Sequence, residues 1–170
     1  MDAKQLQAQQ APIKQRYRDD PASAHWVLKS DGTLHPPSLA CRITSGHSKP
    51  EAGLHPATGG DGTQACSGDM LLESLCACAG VTLAAVATAM GIGIREAQVH
   101  AEGDLDFRGT LGVAKDVPVG FSAIRLRFDV DSDATAAQLD SLLKLTERYC
   151  VIYQTLRKPP DIAVELVART

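Results

Sequence analysis

Two thiols stand one residue apart in Ser74-Leu75-Cys76-Ala77-Cys78-Ala79-Gly80, the most apolar part of the chain. A thiol in such surroundings packs as a small hydrophobe, ligates a soft metal, or acts as a nucleophile once ionised. The chain holds five cysteines: Cys41, Cys66, Cys76, Cys78 and Cys150. An odd number in a chain too long to need disulfide staples points to free, catalytic or metal-binding thiols in a reducing compartment. Successive helix positions turn by about 100°, so Cys76 and Cys78 point about 200° apart. On an intact helix they cannot share one metal or one pocket, and a bond between them would break the helix. No Cys-x-x-Cys pair supports zinc. His47, His55 and Cys66 fall on one stretch without a ladder of ligand spacings, so no metal site and no cofactor are expected. Cys41 and Cys66 read as core filler. Glu73, three residues before Cys76, sets a carboxylate beside that thiol and disfavours its ionisation. Cys78 and Cys150 differ in what surrounds them.

The elements that would hold these thiols follow from pattern. Ser74 to Ile94 carries no charge and is long enough to span a bilayer. Its flanks are Glu73 and Arg95, however, and no basic cluster sets an orientation. A core helix enclosed by other elements is expected, with no membrane span. It opens at Ser67-Gly68-Asp69, where Ser or Asp offers a cap, and stops at Gly91 and Gly93. Upstream, the Gln-rich residues 1–20 form a mobile or short helical lead. His25 to Lys29 and Ser38 to Thr44 are expected as a hairpin, with Ser30-Asp31-Gly32 as turn and Pro36-Pro37 as a break. The Gly-, His- and Pro-rich stretch from Ser45 to Gly68 reads as a long loop, of the kind that is functional or disordered. It is also a candidate lid.

Downstream, "IREAQVHAEGDLDF" (94–107) and "FSAIRLRFDV" (121–130) read as strands, the second alternating Ile124, Leu126, Phe128 and Val130. "GTLGVAKDVPVG" (109–120) connects them. "DSDATAAQLDSLLKLTERYC" (131–150) is a capped helix that ends at Cys150, and "DIAVELVAR" (161–169) is a last strand. This order defines an α+β fold, with a lead segment 1–23 and a single domain 24–170. A net charge of −3, scattered Lys and Arg, and 4% aromatic residues argue against a nucleic-acid partner. The N-terminus "MDAKQLQAQQAPIKQRYRDD" lacks the apolar run of a secretory signal, so the cytoplasm is the expected compartment.

"SGDMLLESLCACAGVTLAAVATAMGI" (67–92) resembles the central helix of the OsmC/Ohr superfamily, the osmotically induced and organic hydroperoxide resistance proteins. There an acidic opening leads across an Ala-rich turn to a reactive cysteine. Setting "DMLL" (69–72) on that opening puts Cys78 on the reactive position; Cys76 falls two residues short. "KLTERYCVIYQTLRKPPDIAVEL" (144–166) is similar to the second family element and makes Cys150 resemble the resolving cysteine. The resemblance covers residues 24–169.

It implies an OsmC-like fold, β-hairpins packed around a buried central helix, in an intertwined homodimer with active sites near the interface. It also implies a thiol peroxidase in which Cys78 becomes a sulfenic acid and condenses with Cys150. An organic hydroperoxide would be the substrate and a dithiol, typically on a lipoyl protein, the reductant. Cys78 lies more than two turns inside its helix, beyond the reach of the N-terminal dipole. A cation is therefore required. The family supplies an Arg fixed by an acidic residue; here that residue is Asp69, and Arg18 is the nearest upstream candidate, with Arg42 the runner-up. Two alternatives remain: an OsmC-fold redox or small-molecule-binding protein without efficient turnover, and a structural dimer whose five thiols are all filler.

Overall fold

The computed structural model describes residues 3–34, 41–44, 52–63 and 65–168. Its centre is a long strand, β5 (Ile94–Asp106), that buries Ala97, Val99, Ala101 and Gly103 on one face. These inward residues are small. They let a helix, α2 (Ser67–Ala89), lie close, with Leu72, Leu75, Cys76, Ala79, Leu83 and Ala87 on its buried side. That spacing is the three-and-four repeat of one helical face. Each leucine so buried contributes roughly 1.5–3 kcal/mol.

β5 pairs antiparallel with β1 (His25–Leu34) on one side and β6 (Ala123–Ser132) on the other. β2 (Cys41–Thr44) adds to β1, giving the order β2-β1-β5-β6. The outer face of β5 and β6 is charged. Arg125 grips Asp104 at 2.6 and 2.8 Å, and Arg95 pairs with Asp131 and Asp133.

Before the sheet, α1 (Ala3–Asp19) sends Tyr17, fully buried, to donate its hydroxyl to the Ala57 carbonyl at 2.7 Å. Tyr17 packs with Ala24, Ala57, Phe107 and Leu111 in a cluster of its own. Phe107 belongs to α3 (Phe107–Thr110). After the sheet, α4 (Ala136–Tyr149) starts with a reciprocal capping box between Thr135 and Gln138. α5 (Val151–Arg157) follows with Cys150 alone between them.

The mixed α and β architecture is the expected one, and several local readings change. Asp31 and Gly32 lie inside β1, opposite Thr44 and Ile43; a paired ladder outweighs the turn preference of two residues. The hairpin connection falls at residues 35–40, outside the described residues, as do Ser38 and His47. The stretch before α2 is not featureless. It contains β3 (Ala52–Gly53), a 3-10 turn at Pro56–Thr58, and β4 (Ala65–Cys66), which pairs parallel with β3. The N-cap of α2 is Cys66, which makes no side-chain capping bond, rather than Ser67 or Asp69.

No strand forms over residues 161–168, where Ile162, Val164, Leu166 and Val167 are exposed, Val164 by 90%. An apolar segment becomes a strand only against an edge that accepts it, and this one meets none among the described residues. α2 is long and apolar enough to cross a membrane. In the fold its buried stripe lies on the sheet, α4 and α5, while Leu71, Ser74, Val81, Ala85 and Thr88 remain exposed. The described residues therefore enclose this helix on one side, not all round.

Candidate active site

The helical phase of α2 separates the neighbouring thiols. Cys76 is fully buried and points at β5, its sulfur 3.7 Å from the Val99 carbonyl oxygen. Cys78 is half-buried and faces the junction of α4 and α5. Cys150 is that junction. Its N–H closes α4 on Thr146 O at 2.9 Å, and its sulfur accepts the Tyr153 N–H at 3.5 Å as the N-cap of α5. Cys78 and Cys150 are both free thiols, and each acts on the ionisation of the other.

Their environments push them apart. Burial raises the Cys78 thiol, but the Ile152 N–H, the Cys150 thiol, the Val151 N–H and the Thr82 hydroxyl together outweigh it. The net result lies below a free thiol's value. Burial also raises Cys150, to about 11, and the neighbouring Cys78 raises it further against the Tyr153 N–H. When one of two adjacent thiols ionises, the other is disfavoured. Cys78 is thus the readier anion and Cys150 the retained thiol. The first-turn amides of α5, which a helix leaves unsatisfied, are shared between the two sulfurs.

The other candidates lie elsewhere in the chain. Arg18 is exposed on the last turn of α1, its guanidinium 3.4 Å from Gln15 Oε1. Asp69 lies in the first turn of α2, and its field reaches His55, whose ring stacks on Phe107 at 4.9 Å between centroids. Both belong to the Tyr17–Phe107 side of the molecule. Arg42 is in β2, opposite Thr33, and its side chain is outside the described residues. Among the described residues no guanidinium contributes to the ionisation of Cys78. Neutral donors do so instead. Sequence reasoning missed Thr82 and the α5 amides. Thr82 was signalled by its position one turn after Cys78, whereas the amides appear only when α5 docks.

A groove of about 500 Å³ is lined by Leu75, Phe121, Leu126, Tyr153 and Leu156, together with Glu147 and Arg157. Those walls pack against the buried cluster that contains Cys150. Phe121 rests on Gly103, where a Cβ would come within 2.5 Å of its ring. The glycine inside β5 is therefore a site of close approach.

A cysteine midway along the central helix, facing a second at the joint of α4 and α5 in an α+β fold with this strand order, defines a class to which sequence comparison gives a name. Residues 60–165 match the OsmC-like protein family, and the chain belongs to it. Three solved chains match. One is an OsmC-like hydroperoxide resistance protein from Jannaschia sp. CCS1, 14% identical, with a TM-score of 0.61 over 85% of this chain and 95% of that one. At that identity the likeness establishes the fold. No curated protein matches the chain.

Proposed function

We propose that the protein is a cysteine peroxidase for organic hydroperoxides, with Cys78 as nucleophile and Cys150 as resolving thiol. The observation that carries this reading is a pair of free thiols that act on each other, with Cys78 favoured as the anion and Cys150 disfavoured. The Cys78 thiolate attacks the terminal peroxide oxygen. An S–O bond forms, the O–O bond breaks, and the leaving alkoxide takes a proton to depart as an alcohol. Cys150 then attacks the sulfenic sulfur; an S–S bond forms and water leaves. An external dithiol returns both sulfurs to thiols by exchange, and a lipoyl protein is the class of reductant implied by the family resemblance.

The apolar groove suits a hydrocarbon-bearing substrate. A cytoplasmic, homodimeric state fits the free thiols and the exposed stripe of α2, which places Cys78 beside Leu71 and Val81 on a surface that a second copy would cover.

Intact-mass analysis after one equivalent of cumene hydroperoxide tests the reading. The native protein is expected to lose two hydrogens with a Cys78–Cys150 link. Cys150→Ser should retain an oxidised Cys78, and Cys78→Ser should give neither product. An unchanged native mass would exclude the peroxidase. A second reading, an OsmC-fold redox or binding protein without efficient turnover, is favoured by the lack of a guanidinium among the described groups acting on Cys78. It predicts the same link, formed only with a large excess of oxidant.

A further inference from the structure

Thr82 stands one turn after Cys78 on the same side of α2, and its hydroxyl donates to the Cys78 carbonyl oxygen at 2.7 Å. The same hydroxyl is one turn along the helix from the Cys78 side chain and is among the groups that favour its anion. We propose that Thr82 is a catalytic residue of the thiol site, its hydroxyl swinging from the Cys78 carbonyl to the Cys78 sulfur when that sulfur is an anion. The proposal deepens the peroxidase reading and rests on it only for the use to which the anion is put.

The physical case is a competition between two acceptors. The Cys78 carbonyl is inside a helix and already receives the amide of residue 82 in the regular ladder. The hydroxyl bond to it is supernumerary, and its loss costs little. An ionised acceptor binds a donor roughly twice as strongly as a neutral one. Threonine in a helix divides between two rotamers because its hydroxyl can turn back on the preceding turn, so the switch needs no backbone movement. No proton leaves Thr82. The hydroxyl stabilises the sulfur's charge before attack and returns to the carbonyl as that charge passes to the departing oxygen.

Among the groups that favour the Cys78 anion, the amides of Val151 and Ile152 belong to the backbone and Cys150 is the second reactant. Thr82 is therefore the one side chain among them that can be changed without touching α5 or the resolving thiol.

The test measures iodoacetamide alkylation of Cys78, resolved by peptide mass spectrometry, as a function of pH. Thr82→Val keeps the shape and removes the donor; Thr82→Ser keeps the donor. The valine variant is expected to react about fivefold more slowly near neutral pH, with its titration midpoint moved upward. The serine variant should follow the native curve. Should valine perturb folding, as judged by thermal melting, Thr82→Ala supplies the same comparison. A native pH profile in the donor-less variants overturns the proposal, and so does equal slowing by valine and serine at an unmoved midpoint, which marks a packing role. Because alkylation requires no hydroperoxide, the profile stands apart from turnover. A midpoint shift in a protein inert to cumene hydroperoxide upholds Thr82 and ends the peroxidase reading; turnover with no shift does the reverse.

Discussion

At the scale of single residues, local chemistry sets each titration. His55 shows this away from the sulfurs. Its Nδ1 accepts the Ala57 N–H at 3.0 Å, so that nitrogen must be unprotonated. Burial lowers its pKa, with the Asp69 charge acting in the opposite direction. A base whose folded pKa is depressed contributes stability that is complete above its unfolded value and lost as pH falls through the folded value. The His55 contribution is therefore whole above about pH 6.5 and declines below it. Urea unfolding at pH 7.5 and pH 5.0 measures the decline. His55→Asn keeps an acceptor for the Ala57 amide but cannot titrate there, and it should lose less stability between the two pH values than the native chain. An equal loss would remove His55 from the account. The same logic explains why Cys76 and Cys78, indistinguishable by residue type, differ in environment: one faces the Val99 carbonyl, the other the amides of α5.

At the scale of elements, Cys150 is the joint between two helices. α5 buries none of its residues fully, so its two turns depend on how its first amides are satisfied. Cys150→Ala removes the acceptor for the Tyr153 amide and is expected to cost about 1 kcal/mol with faster amide exchange across residues 151–157. Cys150→Ser, which retains an acceptor, should restore slow exchange while still abolishing the disulfide. Identical exchange in both variants would show that the sulfur does not cap α5. Sequence pattern read α4 well, because its capping box and leucine spacing are local. α5 is seven residues long, too short for a helical period to stand out in the sequence. The turn assigned to Asp31-Gly32 failed for the complementary reason: β5 pairs with all of β1 and holds it extended through a locally favoured turn.

At the scale of the whole molecule, two surfaces stay open among the described residues: the α2 stripe of Leu71, Val81, Ala85 and Thr88, and the apolar tail at 162–167. Isolated apolar residues on a surface are ordinary, but a helix face continuous with Cys78 and an alternating tail are not. The proposed homodimer covers both. Sedimentation equilibrium should give twice the chain mass for the native protein. Val81→Glu should shift it toward monomer without altering the fold, since Val81 is already partly exposed and makes no buried core contact. A native monomer would remove the dimer.

The sequence by itself determined what depends on near neighbours: the opposite phases of Cys76 and Cys78, the capped start of α4, the alternation in β5 and β6, and the family. Only the tertiary structure decided that Cys78 comes under the influence of Cys150 and the α5 amides, and that Arg18 lies with Gln15 instead. The interactions of Cys78 join segments far apart in the chain. They exist because small side chains on β5 admit α2 closely enough for α4 and α5 to pack across it, and no local pattern encodes that distance.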